Sequence, residues 1–188
     1  MKIAIIGTGG IGGYFGGMLA RAAFDVNFLA RGKHFAAIKS SGLTVKSINT
    51  EFHIGNVQIF DRIRDIGISD LIILCVKAWQ IKEIREDIKS IMNSDSVVLP
   101  LQNGVMAVEE LSEVINKSNI LGGLCRIISK IESPGIINHF GISPSVTFGE
   151  IDKSVSNRVL EIKAVFDKAE INNQISNDID SDLWKKFI

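Results

Sequence analysis

Gly7, Gly9 and Gly12 in "IIGTGGIGGYFGG" stand in G-x-G-x-x-G spacing, directly after an apolar strand-like run and at the opening of a helix. That spacing suits a phosphate-bearing nucleotide. Gly7 allows a tight turn, Gly9 lets backbone approach a pyrophosphate, and Gly12 lets the helix pack close to the sheet. Phosphate oxygens then meet the free N–H groups and positive dipole end of that helix. The second strand-like run, "VNFLA", ends in Arg31, Gly32 and Lys33, where an NAD-binding domain places a carboxylate on the ribose 2′-hydroxyl. A guanidinium there offers a planar charged fork to a 2′-phosphate, so NADP(H) is favoured over NAD(H). Asp25 stands at the wrong end of that run to be the ribose acid. Two more strand ends carry polar residues, Lys77 in "CVKAWQ" and Gln102 with Asn103 in "LQNG", at the edge where α/β sheets bind ligands. Taken singly, each is also readable as a packing turn, a solvated lysine or a turn asparagine.

These residues need a scaffold, and apolar runs alternate with helical patterns to supply it. Residues 2–6, 26–30, 70–76 and 96–101 read as buried strands, and 12–22 as the first helix. Ile81, Ile84, Ile88 and Ile91 recur at helical steps, as do Val105, Val108, Leu111 and Ile115. Continuous apolar strands separated by amphipathic helices predict a Rossmann-type, doubly wound α/β fold with a mostly parallel sheet. Residues 126–150 hold three β-rich runs broken by Ser-Pro turns and predict a hairpin or meander added to the sheet. A helix over 155–169, a short strand "NQIS" and a last helix in "DIDSDLWKKFI" follow. Gly13, Gly16 and Gly17 read as packing glycines.

The chain of 188 residues is 46% hydrophobic and 22% charged, with mean hydropathy +0.23, as expected for a domain with a real core. Basic and acidic residues balance at 21 each, which gives no reason to expect nucleic acid or a membrane surface as partner. No apolar run reaches the ~20 residues that span a bilayer, and no signal peptide is evident at the start. The expected location is cytoplasmic. Cys75 and Cys125 lie in apolar runs without C-x-x-C spacing and read as core thiols. His34, His53 and His139 show no metal spacing, so no metal is expected.

The sequence resembles the ketopantoate reductase family, the NADPH-dependent 2-dehydropantoate 2-reductases. "IGTGGIGGYFGGMLA", "VKAWQ", "LPLQNGV", "SPGIINHFG", "FGE" and "LWKKF" occur in the family's order and spacing. The resemblance implies that Gly7, Thr8, Gly9, Gly10, Ile11 and Gly12 hold the pyrophosphate and that Arg31 faces the 2′-phosphate. It also implies that Lys77, Gln102 and Asn103 line the cofactor and substrate site, and that Ser129 lies where a strand passes the cofactor. Lys186, rather than Lys185, matches the family's proton donor, with Lys77 and Asn103 beside it in the catalytic group. His139 matches a position where a structural hydrogen bond is expected, and Glu150 a position without an evident role.

The reaction implied is hydride transfer from NADPH to a small 2-oxo acid, 2-dehydropantoate, in pantothenate and coenzyme A biosynthesis. Residues 1–170 are expected to form the NADP-binding domain and 171–188 the start of a helical substrate domain, cut short here. Such a chain should bind nucleotide better than it turns over. Leu183, Trp184 and Phe187 on its last helix are expected to expose an apolar face that invites a homo-oligomer. A binding module without catalysis, or a relative reducing another 2-oxo acid or ketone, remains the alternative.

Overall fold

The computed structural model describes residues 1–48 and 50–187, with the side chain of Phe187 left outside the described residues. Five parallel strands form the central sheet: β1 (Lys2–Ile6), β2 (Asp25–Leu29), β5 (Gln58–Phe60), β6 (Leu71–Leu74) and β7 (Val97–Pro100). Their order is β5-β2-β1-β6-β7. The chain order therefore reverses across β1, and the crevice between the carboxyl ends of β1 and β6 is a topological switch point, the usual seat of a ligand in this architecture.

β1, β6 and β7 are apolar on both faces because helices cover both. Ile3 and Ile5 of β1 face one core with Tyr14, Phe15 and Leu19 of α1 (Gly10–Arg21) and Val159, Ile162 and Phe166 of α5 (Asn157–Lys168). Ala4 and Ile6 face a second core with Ile81, Ile84 and Ile88 of α3 (Ile81–Ser90) and Leu111 of α4 (Ala107–Ser112). This is the layered arrangement expected from the alternating runs.

The hairpin expected over 126–150 exists, but it extends a different sheet. β9 (Ser129–Ser133) and β10 (Ile136–His139) pair antiparallel, and β10 lies parallel to β3 (Leu43–Lys46), which pairs with β4 (Glu51–Ile54). This four-stranded sheet packs on α1, with Val45 and Ile137 entering the first core. β8 (Gly122–Arg126) instead pairs with β11 (Ser145–Gly149), and β11 with β12 (Asn173–Ile175). A parallel bridge from Ile120 to Val98 sets the approach to β8 beside β7, so the end of β8 shares an edge with the ends of the central strands. α2 (Gly32–Ser41), which the apolar pattern did not announce, follows β2 directly.

On the last helix, α6 (Ile179–Phe187), the apolar face expected to be open is closed at Leu183, while the side chain of Phe187 lies outside the described residues. Leu183 is buried with Ile179 against Leu124 of β8, with Val105 beside them, because these side chains close a small core of their own. Trp184 remains 56% exposed. Among the described residues no helix is long and apolar enough to cross a membrane.

Candidate active site

The glycine loop leaves β1 with Gly7 at φ +103°, where a Cβ would lie 3.0 Å from the Val76 backbone nitrogen. Gly12 is constrained harder: its Cβ would fall 2.2 Å from the Gly7 carbonyl oxygen and 2.9 Å from Ile5. Gly9 is different, because a Cβ there meets nothing within 4 Å. No side chain caps the α1 N-terminus, so the first-turn N–H groups face the crevice as donors. Folding alone therefore explains Gly7 and Gly12, while Gly9 keeps clear a cradle that a phosphate would occupy. Thr8 plays another part: its N–H and its hydroxyl both donate to Leu29 C=O, at 2.9 and 2.8 Å, and fasten the loop to the end of β2.

A cleft of about 260 Å³ opens at this switch point, lined by the loop, Arg31, His34, Lys77 and Gln80, with Ile131 of β9 as one wall. Arg31 ends the β2 segment in extended conformation, exposed at the rim and with no ion-pair partner among the described residues. Asp25 starts β2, opposite Lys2, far from this end. Lys77 is exposed and begins a 3-10 turn over Ala78–Gln80. Its N–H donates to Gln80 Oε1 at 3.0 Å, and Gln80 N–H returns a bond to Lys77 C=O at 2.9 Å.

Asn103 and Lys186 do not line that cleft but meet each other. Lys186 Nζ donates to Asn103 Oδ1 at 2.9 Å and to the Cys125 carbonyl at 2.8 Å. β8 supplies the carbonyl and also holds α6 through Leu124, so one strand both seats the helix and receives its lysine. Burial pushes the Lys186 pKa down, and the nearby Arg126 charge adds to this against an opposite pull from Cys125. Lys185 projects elsewhere, 3.5 Å from Asp182. The segment from Cys125 to Ser129 connects the two groupings: a Cβ on Gly10 would lie 2.4 Å from Ser129 O and 2.8 Å from its Oγ.

Unpaired buried atoms mark the same region. Both polar atoms of the Gln102 amide, the Ser129 hydroxyl and His34 Nε2 are shielded from solvent without a hydrogen-bond partner. Such groups carry a cost that an incoming polar ligand can relieve. The two cysteines are inert by contrast, because burial pushes the Cys75 thiol well up and the Cys125 thiol to about 11. His139 is structural: Nε2 donates to Ile142 C=O at 2.9 Å, and Nδ1 accepts from Ser47 Oγ at 2.6 Å.

Gln80 has no role in the sequence reading, and His34 enters it only as a histidine without metal spacing and, with Lys33, as a substitute for Arg31 at the 2′-phosphate. Gln80 follows Lys77 by three residues, the spacing of a reciprocal turn cap. His34 follows Arg31 by three, which turns it into the cleft only once α2 is recognised.

The comparisons agree with this fold. The family model "Ketopantoate reductase PanE/ApbA" matches residues 3–153. The uncharacterized oxidoreductase YkpB of Bacillus subtilis is 33% identical over all of this chain and 61% of its own length. The crystal structure of 2-dehydropantoate 2-reductase from Geobacter metallireducens superposes with TM-score 0.93 at 31% identity, over 99% of this chain and 61% of that one. A ternary structure of D-mandelate dehydrogenase with NADH and anilino(oxo)acetate gives TM-score 0.85 at 28% identity, over 99% and 60%. The chain thus spans about six-tenths of the length of the curated relatives it matches. By the family match over four-fifths of its residues, and by the relatives that share its fold from end to end, the chain belongs to the ketopantoate reductase PanE/ApbA family.

Proposed function

We propose that the chain carries the cofactor site and proton donor of an NADPH-dependent 2-oxo acid reductase that converts 2-dehydropantoate to pantoate. The observation that carries this reading is the Lys186 ammonium, held by Asn103 Oδ1 and Cys125 C=O at the sheet edge that also bears the glycine loop. In this reading residues 1–170 hold the dinucleotide, and 171–188 bring the lysine to it. The protein acts in the cytoplasm, in pantothenate and coenzyme A biosynthesis.

The residues present fit a dinucleotide: an open cradle at Gly9, uncapped N–H groups on α1, and the unpaired Ser129 hydroxyl over Gly10. Gly9 to Gly12 would receive the pyrophosphate, Arg31 a 2′-phosphate, and Lys77 with Gln80 the flank of the cleft. When bound, the nicotinamide supplies a hydride to the carbonyl carbon of the substrate. Lys186 meets the negative charge that develops on the carbonyl oxygen and gives it a proton. Asn103 cannot titrate, so its part is to orient the ammonium and the substrate. A depressed lysine pKa makes the ammonium a readier acid.

The test is 2-dehydropantoate-dependent oxidation of NADPH, with NADH and an aryl 2-oxo acid in parallel. NADPH binding without turnover of either acid would leave a nucleotide-binding module, and turnover of the aryl acid alone would move the substrate. Arg31→Ala is expected to reduce the preference for NADPH over NADH by roughly 1–3 kcal/mol, the loss of a charge-assisted contact. An unaltered preference removes Arg31 from that role.

The glycines separate folding from binding. Gly12→Ala is expected to lower stability by about 1–3 kcal/mol, since its methyl group overlaps backbone that cannot yield. Gly9→Ala should melt like the parent, its φ of −82° being open to alanine, yet bind NADPH at least about tenfold more weakly, or ~1.4 kcal/mol. Equal melting shifts for the two variants would show that the Gly9 cradle has no separate purpose.

A further inference from the structure

We propose that Arg126 determines the specificity for an acid substrate, its guanidinium taking the carboxylate of the 2-oxo acid while Lys186 meets the carbonyl oxygen. This rests on the reading that Lys186 protonates a bound 2-oxo acid.

β8 places Arg126 on the side where α6 lies. A Cβ on Gly122 would meet Ile179 at 2.5 Å, and Leu124 packs with Ile179 and Leu183. Gly123 faces the other way, where a Cβ would meet Leu99 at 2.5 Å, and Cys125 shares that core and donates its thiol proton to Leu101 C=O. Side chains alternate along a strand, so Arg126 follows Gly122 and Leu124 onto the α6 face. Its backbone is fixed there, because β8 still pairs with β11 at Arg126 and Ser145. Lys186 Nζ lies 2.8 Å from the Cys125 carbonyl oxygen. From that oxygen the path to the Arg126 Cα is only the C=O, C–N and N–Cα bonds, so this Cα is less than about 7 Å from the ammonium.

The guanidinium is available. Arg126 is exposed, and among the described residues it makes no hydrogen bond, ion pair or ring contact. Acids of α6 and its approach are committed elsewhere: Asp182 to Ser176 Oγ at 2.6 Å and to Lys185, and Asp178 to Lys153. Arg126 and Lys186 therefore stand as neighbouring cations at one sheet edge, and an anion lying between them relieves their repulsion.

A 2-oxo acid has the matching shape. Its carboxylate is bonded directly to the carbonyl carbon, so whatever recognises the carboxylate must stand close to the proton donor. Arg31 and Lys77 line the glycine-loop cleft instead. A guanidinium holds a carboxylate through two parallel N–H bonds and so fixes the plane of the acid. That plane also contains the carbonyl oxygen, which is thereby aimed at Lys186.

Two compounds test this, 2-dehydropantoate and its lactone, which keeps the ketone but ties the carboxylate into a neutral ester. In NADPH oxidation near pH 7, Arg126→Gln is expected to lower kcat/KM for the acid by roughly 10- to 100-fold, mostly through KM, as for losing a charge-assisted contact. The lactone should change by less than about threefold, and NADPH affinity by less than about twofold. Arg126→Lys keeps the charge without the fork and should fall between the parent and Arg126→Gln. Equal losses for acid and lactone would make Arg126 a support for Lys186 or for the fold, and a loss confined to NADPH affinity would give the guanidinium to the cofactor. Either result overturns the proposal, as does an unchanged rate for the acid.

Titration of 2-dehydropantoate into the NADP+-loaded chain, followed by NMR at the Arg126 Nε–H, reads the contact without turnover. A saturable shift with the acid and none with the lactone supports the assignment, and no shift with the acid overturns it. If the parent reduces neither compound, the reductase reading fails by itself, and this titration still decides Arg126.

Discussion

Lys186→Ala is expected to slow reduction of the 2-oxo acid by about 100- to 10,000-fold, the range for losing a positioned general acid. NADPH affinity should stay within about twofold, because Lys186 lies outside the cleft that holds the loop and Arg31. An ammonium fixed by one side-chain amide and one main-chain carbonyl is aimed before substrate arrives, so no ordering is left for the reaction step. The pH profile gives a second reading of the same group. Lys186 must be protonated to donate, so turnover falls as pH rises through its pKa, which burial and Arg126 hold below the ordinary lysine value. Arg126→Gln removes one cause of that depression and should move the alkaline limb upward. Stopped-flow oxidation of NADPH reads both effects, and an unchanged rate in Lys186→Ala would assign the proton to another donor.

The central layer was legible because its physics is local. Strands buried on both faces must be continuously apolar, and β1, β6 and β7 are. The segments from 32 to 60 were not legible for the opposite reason. α2 buries only Ile38, β4 alternates between exposed and partly buried positions, and β5 has three residues. Such elements are fixed by neighbours distant in sequence, as β3 is by β10. The hairpin shows the limit well: its turns were readable, but which edge it would join depended on β3.

The site divides in the same way. The glycine spacing is a local signal, and the geometry even ranks its members, with Gly12 filled by protein and Gly9 left open. The Lys186 contact to Asn103 spans 83 residues, and no spacing rule predicts it. The family resemblance names both residues for the catalytic group but not their contact, whose physical cause is the small core of Leu124, Ile179 and Leu183 that seats α6. That core also explains why the expected apolar face of α6 is closed at Leu183.

Glu150 had no evident role in the sequence and has a definite one in the fold, which leads to the largest expected stability effect. Its carboxylate, 8% exposed, accepts from Arg158 Nε at 2.7 Å, Arg158 Nη2 at 2.5 Å and Ser156 Oγ at 2.5 Å. Ser156 caps α5, and Arg158 Nη1 donates to Ser118 C=O ahead of β8. One buried carboxylate thus fixes the start of α5 and the approach to the strand that receives Lys186.

The two partners are not equally buried, and that decides the asymmetry. Arg158→Ala strands a nearly buried charge, and about 3 kcal/mol is expected, within the range for breaking a buried pair and discounted for partial exposure. For a chain of this size that lowers the melting temperature by roughly 6–12 °C. Glu150→Ala leaves an arginine that is 31% exposed and can turn to solvent, so about half that loss is expected. The double variant should resemble Glu150→Ala, since its carboxylate is gone in both. Calorimetric melting of the three chains measures this cycle. An Arg158→Ala cost no greater than that of Glu150→Ala would mean that the carboxylate is solvated in place, and that packing of α5, rather than this pair, holds β8 beneath Lys186.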